Sequence, residues 1–362
     1  MKILADAALP HVVELFTPSF DLTLYHSQND VCDLLATHDI LLCRSTLNVT
    51  AQLLTGSRLQ CVATASSGTD HIDCDYLTQH GIPLFDAKGC NARAVADYVV
   101  ASLAFLYKSG CVLGNQAGII GVGEVGTQVI ARLRAMGFDV RCVDPIREQL
   151  DHDNHYCSLA ELTSCDLLCI HANLHTTPPY PSVNLLDTEL LSQLKPGVVI
   201  INAARGGIIN EDALLKIDKP ITYCTDVYLG EPTINADLVA FSTLCTPHIA
   251  GHSIEAKNAA VFKISQQLHR HFGLPMPTIA TSRSEPYPLL STNQEISCSN
   301  WQDNVLALYN PLKDTYRLKK ATDKTRVFLK QRQAHKNRHD FSFYNATQYD
   351  DLTRLLLGHP LN

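Results

Sequence analysis

Four short stretches of this 362-residue chain hold the residue types that grip anions and move protons. "GVGEVG" sets Gly121, Gly123 and Gly126 at the G-x-G-x-x-G spacing; "NAARGGIIN" holds Arg205, "DVYLGEP" holds Asp226 and Glu231, and "TPHIAGHS" holds His248 and His252. A glycine turn that opens a helix lets backbone amides touch a pyrophosphate, with Glu124 and Val125 supplying amides at the helix start. An arginine fork grips a carboxylate and polarises a carbonyl. A histidine, titrating near neutrality, takes a hydroxyl proton, and a carboxylate beside it holds the ring and favours its charged form. Together these describe hydride transfer from a hydroxy acid to a nicotinamide dinucleotide. Singly, an Arg, Glu or His in a loop is ordinary; the weight lies in their joint placement behind a nucleotide turn.

The elements that must position them follow from the apolar pattern. "MKILADA", "DILLCRS", "LQCVATASSG" and "GIPLFDA" read as short strands separated by helical stretches such as "VCDLLATH". That rhythm predicts a parallel sheet with crossover helices. "NARAVADYVVASLAFLY" predicts a long helix with Asn91 as its N-cap. "AGII" is a strand, the glycine turn and a helix follow, and a second strand ends at Asp144, about 20 residues past the turn, the place from which an acid reaches the adenosine ribose. Its charge would repel a 2′-phosphate, so NAD is expected rather than NADP. "DLLCIHA", "GVVIINAA" and "ITYCTDVY" are three more strands, and Arg205, Asp226 and His248 stand just past strand ends, where doubly wound folds form their ligand crevice.

His248 and His252 have the i, i+4 spacing of a helical metal pair. Pro247 and Gly251 disfavour a helix there, and Ser253, with Glu255 behind it, is the better N-cap. His248 is therefore expected in a loop and His252 at or just before a helix start, with no metal site.

In this order, "GVGEVG", "NAARGGIIN", "DVYLGEP" and "TPHIAG" resemble the D-isomer-specific 2-hydroxyacid dehydrogenases, over roughly residues 1–272. The resemblance implies an α/β protein: a Rossmann-type NAD domain (91–247) inserted in a flavodoxin-like substrate domain (1–90 and 248–275). It implies Arg205, Glu231 and His248 as the catalytic trio. It also implies cofactor contacts from the glycine loop, Asp144, Ala172, Ala203, Asp226 and Gly251, and substrate contacts from Ser45 and Ser66, with Arg44 beside them, and from His252. Three positions depart from the family pattern. Ala172 stands where a Thr helps hold NAD, Leu229 where an acid is common, and His252 where a Tyr is expected at the substrate. Ser66 replaces the usual Thr and keeps its hydroxyl.

The C-terminal run "YNPLKDTYRLKKA…FLKQRQAHKNRHDF" resembles family members with an additional dimerisation domain. That implies a small α+β domain at 285–362, a homodimer, and a phosphorylated hydroxy acid as substrate. Arg332 and Arg338 in that run could reach a partner's cleft or simply face solvent. "GLPMPTIATSRSEPYPLLSTNQE" before it reads as a linker.

A net charge of −7 argues against a nucleic-acid or anionic-membrane partner. No run of about 18 apolar residues is present to cross a bilayer, and "MKILADAALP" lacks a signal-peptide core. The 13 cysteines are scattered without a C-x-x-C pair, which suits buried thiols in a reducing cytoplasm. Two alternatives stay open: another dehydrogenase of the family, acting on 3-phosphoglycerate or an uncharged acid, and a non-catalytic NAD-sensing binding protein. The intact Arg205, Glu231 and His248 weigh against the latter.

Overall fold

The computed structural model describes residues 1–17, 19–112, 114–151, 153–277, 300–335 and 337–360. The linker stretch lies largely outside them. The chain forms two compact units, Met1–Asn91 with Ile254–Glu285, and Ala92–Ser253 with Pro286–Asn362.

The first unit is built on a five-stranded parallel sheet, β1 (Lys2–Asp6), β2 (Asp21–Tyr25), β3 (Ile40–Cys43), β4 (Cys61–Thr64) and β5 (Leu84–Asp86), in the order β2-β1-β3-β4-β5. This is the flavodoxin-like order, with its switch point between β1 and β3. The strands are apolar on both faces because both faces are covered. Val31, Leu35, Leu47, Leu54 and Leu77 pack one side. On the other lie Leu15, Phe16 and the helix Ile254–His271 through Val261, Ile264 and Leu268.

The second unit holds a seven-stranded parallel sheet: β6 (Gln116–Ile120), β7 (Asp139–Val143), β8 (His155–Tyr156), β9 (Leu167–Ile170), β10 (Val199–Asn202), β11 (Thr222–Thr225) and β12 (Leu244–Cys245). Its order, β12-β11-β10-β9-β6-β7-β8, is the Rossmann order with one strand added. Register brings Val143, Ile120, Ile170, Asn202, Thr225 and Cys245 into one row across the sheet. The loops leaving that row therefore emerge side by side. The helix Ala92–Lys108 starts directly after Asn91 and is buried almost all round.

Two expectations about domains differ from what is found. The segment 248–253 stays with the NAD-type unit, because the side chain and carbonyl of Asp226 bind the amides of His248, Ile249 and Ala250. The C-terminal segment, expected as a separate α+β domain, groups with the same unit. Its described residues form the helices Trp301–Leu308, Leu312–Lys320, Lys324–Ala334 and Asp351–Leu356 and a 3-10 turn, with no strand among them. Asn300, Asp323 and Asp350 cap three of these helices, and Pro311 opens the fourth. Val305, Phe341, Leu356 and Leu357 enter the core on one face of the large sheet, and Leu318 and Phe328 the core on the other. A buried ion pair adds to this seam. Arg132 reaches Asp97 at 2.9 Å and donates to the Leu356 carbonyl, and Asp97 accepts from the Phe341 amide at 2.7 Å. Burial raises the Asp97 pKa against the opposing pull of Arg132.

Candidate active site

The glycine turn leaves β6. Gly121 has φ +93°, and a side chain there would meet the backbone of His171 and Ala172. Gly126 is tighter: its added Cβ would lie 2.1 Å from the Gly121 carbonyl oxygen. Gly123 differs, since a Cβ there meets nothing within 4 Å. It is the N-cap of the helix Glu124–Ala135 and makes no side-chain cap, so the first amides of that helix face open space. Asp144, at the end of β7, accepts from the Val122 amide at 2.8 Å and the Arg147 amide at 3.0 Å. Each carboxylate oxygen keeps a lone pair for a ribose hydroxyl. A bare, open helix N-terminus beside an acid at the second strand end fits a dinucleotide.

Further along the same row, Asn202 ends β10 and ties down the next loop. Its side chain accepts from the Ala204 amide at 3.1 Å and donates to the Arg205 carbonyl at 3.0 Å. Arg205 Nη1 donates to the Ala204 carbonyl. Gly206 lets this loop pass the Tyr228 backbone, since an added Cβ would fall 2.0 Å from the Tyr228 carbonyl carbon.

Asp226 follows β11 and is 1% exposed. Its Oδ1 accepts from the Thr246 hydroxyl (2.7 Å) and the Ile249 amide (2.8 Å), and its Oδ2 from the Ala250 amide (2.7 Å). The Thr246 hydroxyl in turn accepts from buried Tyr98, whose oxygen is 2.8 Å away. Burial raises the Asp226 pKa, opposed by His248 and these donors. The clamp has a purpose in the loop it holds. His248 has φ +54°, a left-handed conformation that a non-glycine residue adopts at a cost of about 1 kcal/mol or more. The Asp226 carbonyl accepts the His248 amide at 2.7 Å, and the carboxylate takes the next two amides. Asp226, expected at the cofactor, is therefore the anchor of the histidine loop.

In that conformation His248 Nδ1 lies 2.7 Å from Glu231 Oε2. The other Glu231 oxygen accepts the Tyr228 amide at 2.9 Å. Burial raises the Glu231 pKa, but the charge and hydrogen bond of His248, the Tyr228 amide and Arg332 outweigh it, and the net shift is downward. The carboxylate is thus ionised, Nδ1 carries the proton, and Nε2 has no hydrogen-bond partner among the described residues.

Other expected contacts fall as follows. Ala203 and Gly251 are half-buried at strand-end loops. Ala172 backs the Gly121 turn through its main chain. Leu229 is exposed, and its amide donates to Glu211 Oε1 at 2.7 Å. His252 precedes the helix that begins at Ile254, and its amide donates to the Ile249 carbonyl. Among the described residues, no group of His, Cys, Asp or Glu side chains is placed to hold a metal.

In the first unit, the expected substrate residues gather at the ends of β1, β3 and β4. Arg44 Nε pairs with Asp6 Oδ2 at 2.8 Å, and the Ser45 amide donates to the Ser66 hydroxyl at 3.1 Å. Both Nη groups of Arg44 are without hydrogen bonds among the described residues, a half-exposed fork suited to an anion.

Two residues, Asp6 and His171, were missed by sequence reasoning. Asp6 aligns Arg44, and an acid ending the first strand was the available signal. Arg332 and Arg338 were expected to reach a partner's cleft or to face solvent. Instead Arg332 approaches Glu231, and Arg338 donates to the carbonyls of Ala250 and Ala94. His171, just past β9, has both ring nitrogens shut from solvent with no partner among the described residues, and burial drives its pKa down to about 3.

A strand-end His–Glu pair, an arginine loop and a dinucleotide turn on one sheet edge define an NAD-dependent dehydrogenase of hydroxy acids. The NAD-binding domain model of the D-isomer-specific 2-hydroxyacid dehydrogenases matches residues 105–250, and the chain belongs to that family. More narrowly, it belongs with the erythronate-4-phosphate dehydrogenases. It is 51% identical to that of Legionella pneumophila (strain Lens) over 95% of this chain and 96% of the relative. It is 40% identical to that of Coxiella burnetii (strain RSA 331 / Henzerling II) over 88% and 87%. Among solved structures it resembles an NAD-bound 3-phosphoglycerate dehydrogenase of Entamoeba histolytica (TM-score 0.65, 23% identity, 75% of this chain and 95% of that one). An NAD-bound formate dehydrogenase of Staphylococcus aureus gives a TM-score of 0.62 at 25% identity, over 75% and 96%. NAD is the cofactor.

Proposed function

We propose that the protein oxidises 4-phospho-D-erythronate at C2 to 2-oxo-3-hydroxy-4-phosphobutanoate, a step toward pyridoxal 5′-phosphate. The long relatives of that name support this substrate over 3-phosphoglycerate. The observation that carries the chemistry is the His248–Glu231 pair, with Nδ1 engaged and Nε2 open. Bound NAD supplies the hydride acceptor. His248 Nε2 takes the C2 hydroxyl proton as the C2–H bond breaks, and Glu231 stabilises the imidazolium that results. Arg205 holds the carboxylate and polarises the forming carbonyl. The phosphate is assigned to the Arg44 fork, with Ser45 and Ser66 at the hydroxyls and His252 as a further donor. In the reverse direction His248 gives the proton back.

The protein is proposed to act as a cytoplasmic homodimer. Its support is the exposed Leu312, Tyr316 and Leu329 on the C-terminal helices, and no helix among the described residues is long and apolar enough to cross a membrane. The test is turnover of 4-phospho-D-erythronate with NAD, read by trapping the 2-oxo acid. His248→Gln should lose at least about 100-fold in kcat with NAD affinity retained. Turnover of 3-phosphoglycerate in preference, or undiminished kcat in His248→Gln, would overturn the assignment.

A further inference from the structure

Arg332 lies on the helix Lys324–Ala334, well beyond the residue at which the family's domain model stops matching. Its Nη1 is 4.0 Å from Glu231 Oε2, the oxygen that also faces His248 Nδ1. That is too long for a hydrogen bond and close enough for charge to be felt. The guanidinium sits over the Phe328 ring, 5.8 Å from its centre, and fully buried Phe328 packs edge-on against Tyr228, two residues past Asp226. The core therefore holds the cation in place. Side-chain exposures of 28% for Arg332 and 18% for Glu231 leave the pair only partly screened.

The charges around the imidazole are mixed, with Arg338 donating to the Ala250 carbonyl at the exit of its loop. Glu231 touches it, and Asp226 lies behind its loop. Glu211, on the helix Glu211–Leu215, feels the charges of Glu231 and of Asp212 next to it. The Tyr228 phenol in this cluster stays neutral, its pKa raised by burial. Arg205 leaves the neighbouring strand end.

We propose that Arg332 is a positioning residue of the C-terminal segment that shares the Glu231 carboxylate and so loosens its hold on the His248 proton. This rests on His248 being the acid–base group.

The test compares full-length wild type, Arg332→Gln, Arg332→Lys and His248→Gln, with kcat/KM for 4-phospho-D-erythronate oxidation measured across pH. Arg332→Gln should move the acid limb of the profile upward by about half a pH unit, the effect of two unit charges roughly 6 Å apart in a largely aqueous dielectric. Above that limb its rate should approach wild type, and Arg332→Lys should restore the wild-type limb. In the reductive direction the alkaline limb should move the same way. An unmoved limb in Arg332→Gln, or a rate lowered equally at every pH with the limb in place, overturns the inference. If His248→Gln is inactive while the Arg332→Gln limb is unmoved, the acid–base reading stands and the role of Arg332 falls. If His248→Gln keeps both rate and limb, the acid–base reading itself falls.

Discussion

Gly123 and Gly126 share one motif, yet the structure gives them opposite tasks. Alanine at each separates folding from cofactor binding. At Gly126 the new methyl carbon would sit 2.1 Å from the Gly121 carbonyl oxygen, backbone against backbone, with no flexible side chain to yield. Helix and turn must part by more than an ångström. Such overpacking costs typically 1–3 kcal/mol, and this contact belongs at the upper end, about 3 kcal/mol. At Gly123 the methyl meets nothing within 4 Å, and φ of −85° suits any residue. Alanine there gains about 0.4–1 kcal/mol by restricting the unfolded chain and loses about as much as a poorer N-cap than glycine, so the net change is near zero. The open space it fills is where a pyrophosphate must approach the amides of Glu124 and Val125. Urea unfolding without NAD and titration of NAD by fluorescence read the two effects separately. Gly123→Ala should unfold within about 1 kcal/mol of wild type and bind NAD at least about 10-fold more weakly. Gly126→Ala should be destabilised by about 3 kcal/mol. Normal NAD affinity in Gly123→Ala, or equal destabilisation of the two variants, would refute the division of labour.

Three further perturbations follow from the same geometry. Asp226→Asn leaves one of three buried donors facing an amide NH2 and should cost about 2–3 kcal/mol in urea unfolding, lowering kcat as the His248 loop relaxes from its left-handed conformation; wild-type stability would mean the carboxylate is not the anchor. His171 has a folded pKa lowered to about 3, so between the unfolded value near 6.5 and pH 3 the unfolded chain binds the extra proton. Its contribution is complete above about pH 6.5 and is lost as pH falls, at up to about 1.4 kcal/mol per pH unit; His171→Leu should flatten that decline between pH 7 and 5, and an unchanged slope would count against it. Arg44→Met should raise KM for the phosphorylated substrate by about 10-fold or more with NAD affinity unchanged, and an unaltered KM would move the phosphate elsewhere.

What was legible in the sequence was local or periodic. The glycine spacing, an apolar strand before it and an acid about 20 residues later are all contained in one β-turn-α-β unit, and β6 and β7 end where that reading placed them. Arg205, Asp226 and His248 stand past β10, β11 and β12 because strand ends can be read from the point at which apolar runs stop. The Asp226 clamp was not legible. It depends on amides more than 20 residues away, and an acid past a strand end looks the same whether it faces a ligand or a loop. Nor was the fate of the C-terminal run. Its lysines and arginines suggested a solvated or cross-subunit face, while its sparse apolar residues, Val305, Leu318, Phe328 and Phe341, turned out to be core. Such spacing does not say which surface they cover.

That core placement bears on how the histidine loop is supported. The C-terminal segment touches β12 and the loops past β11 and β12 at three levels. Thr315 accepts the Cys245 amide at 3.0 Å, one residue before Thr246 of the Asp226 clamp. Arg338 holds the Ala250 carbonyl just after His248. Arg332 stands beside Glu231. The three contacts bracket the histidine loop from strand end to exit, and the apolar side chains between them close both faces of the sheet. A truncation before Asn300 would therefore remove supports of the loop and uncover core. Loss of activity in such a truncation is consequently no evidence for a cross-subunit residue, whereas a surface substitution such as Tyr316→Glu, outside these contacts, can separate assembly from catalysis.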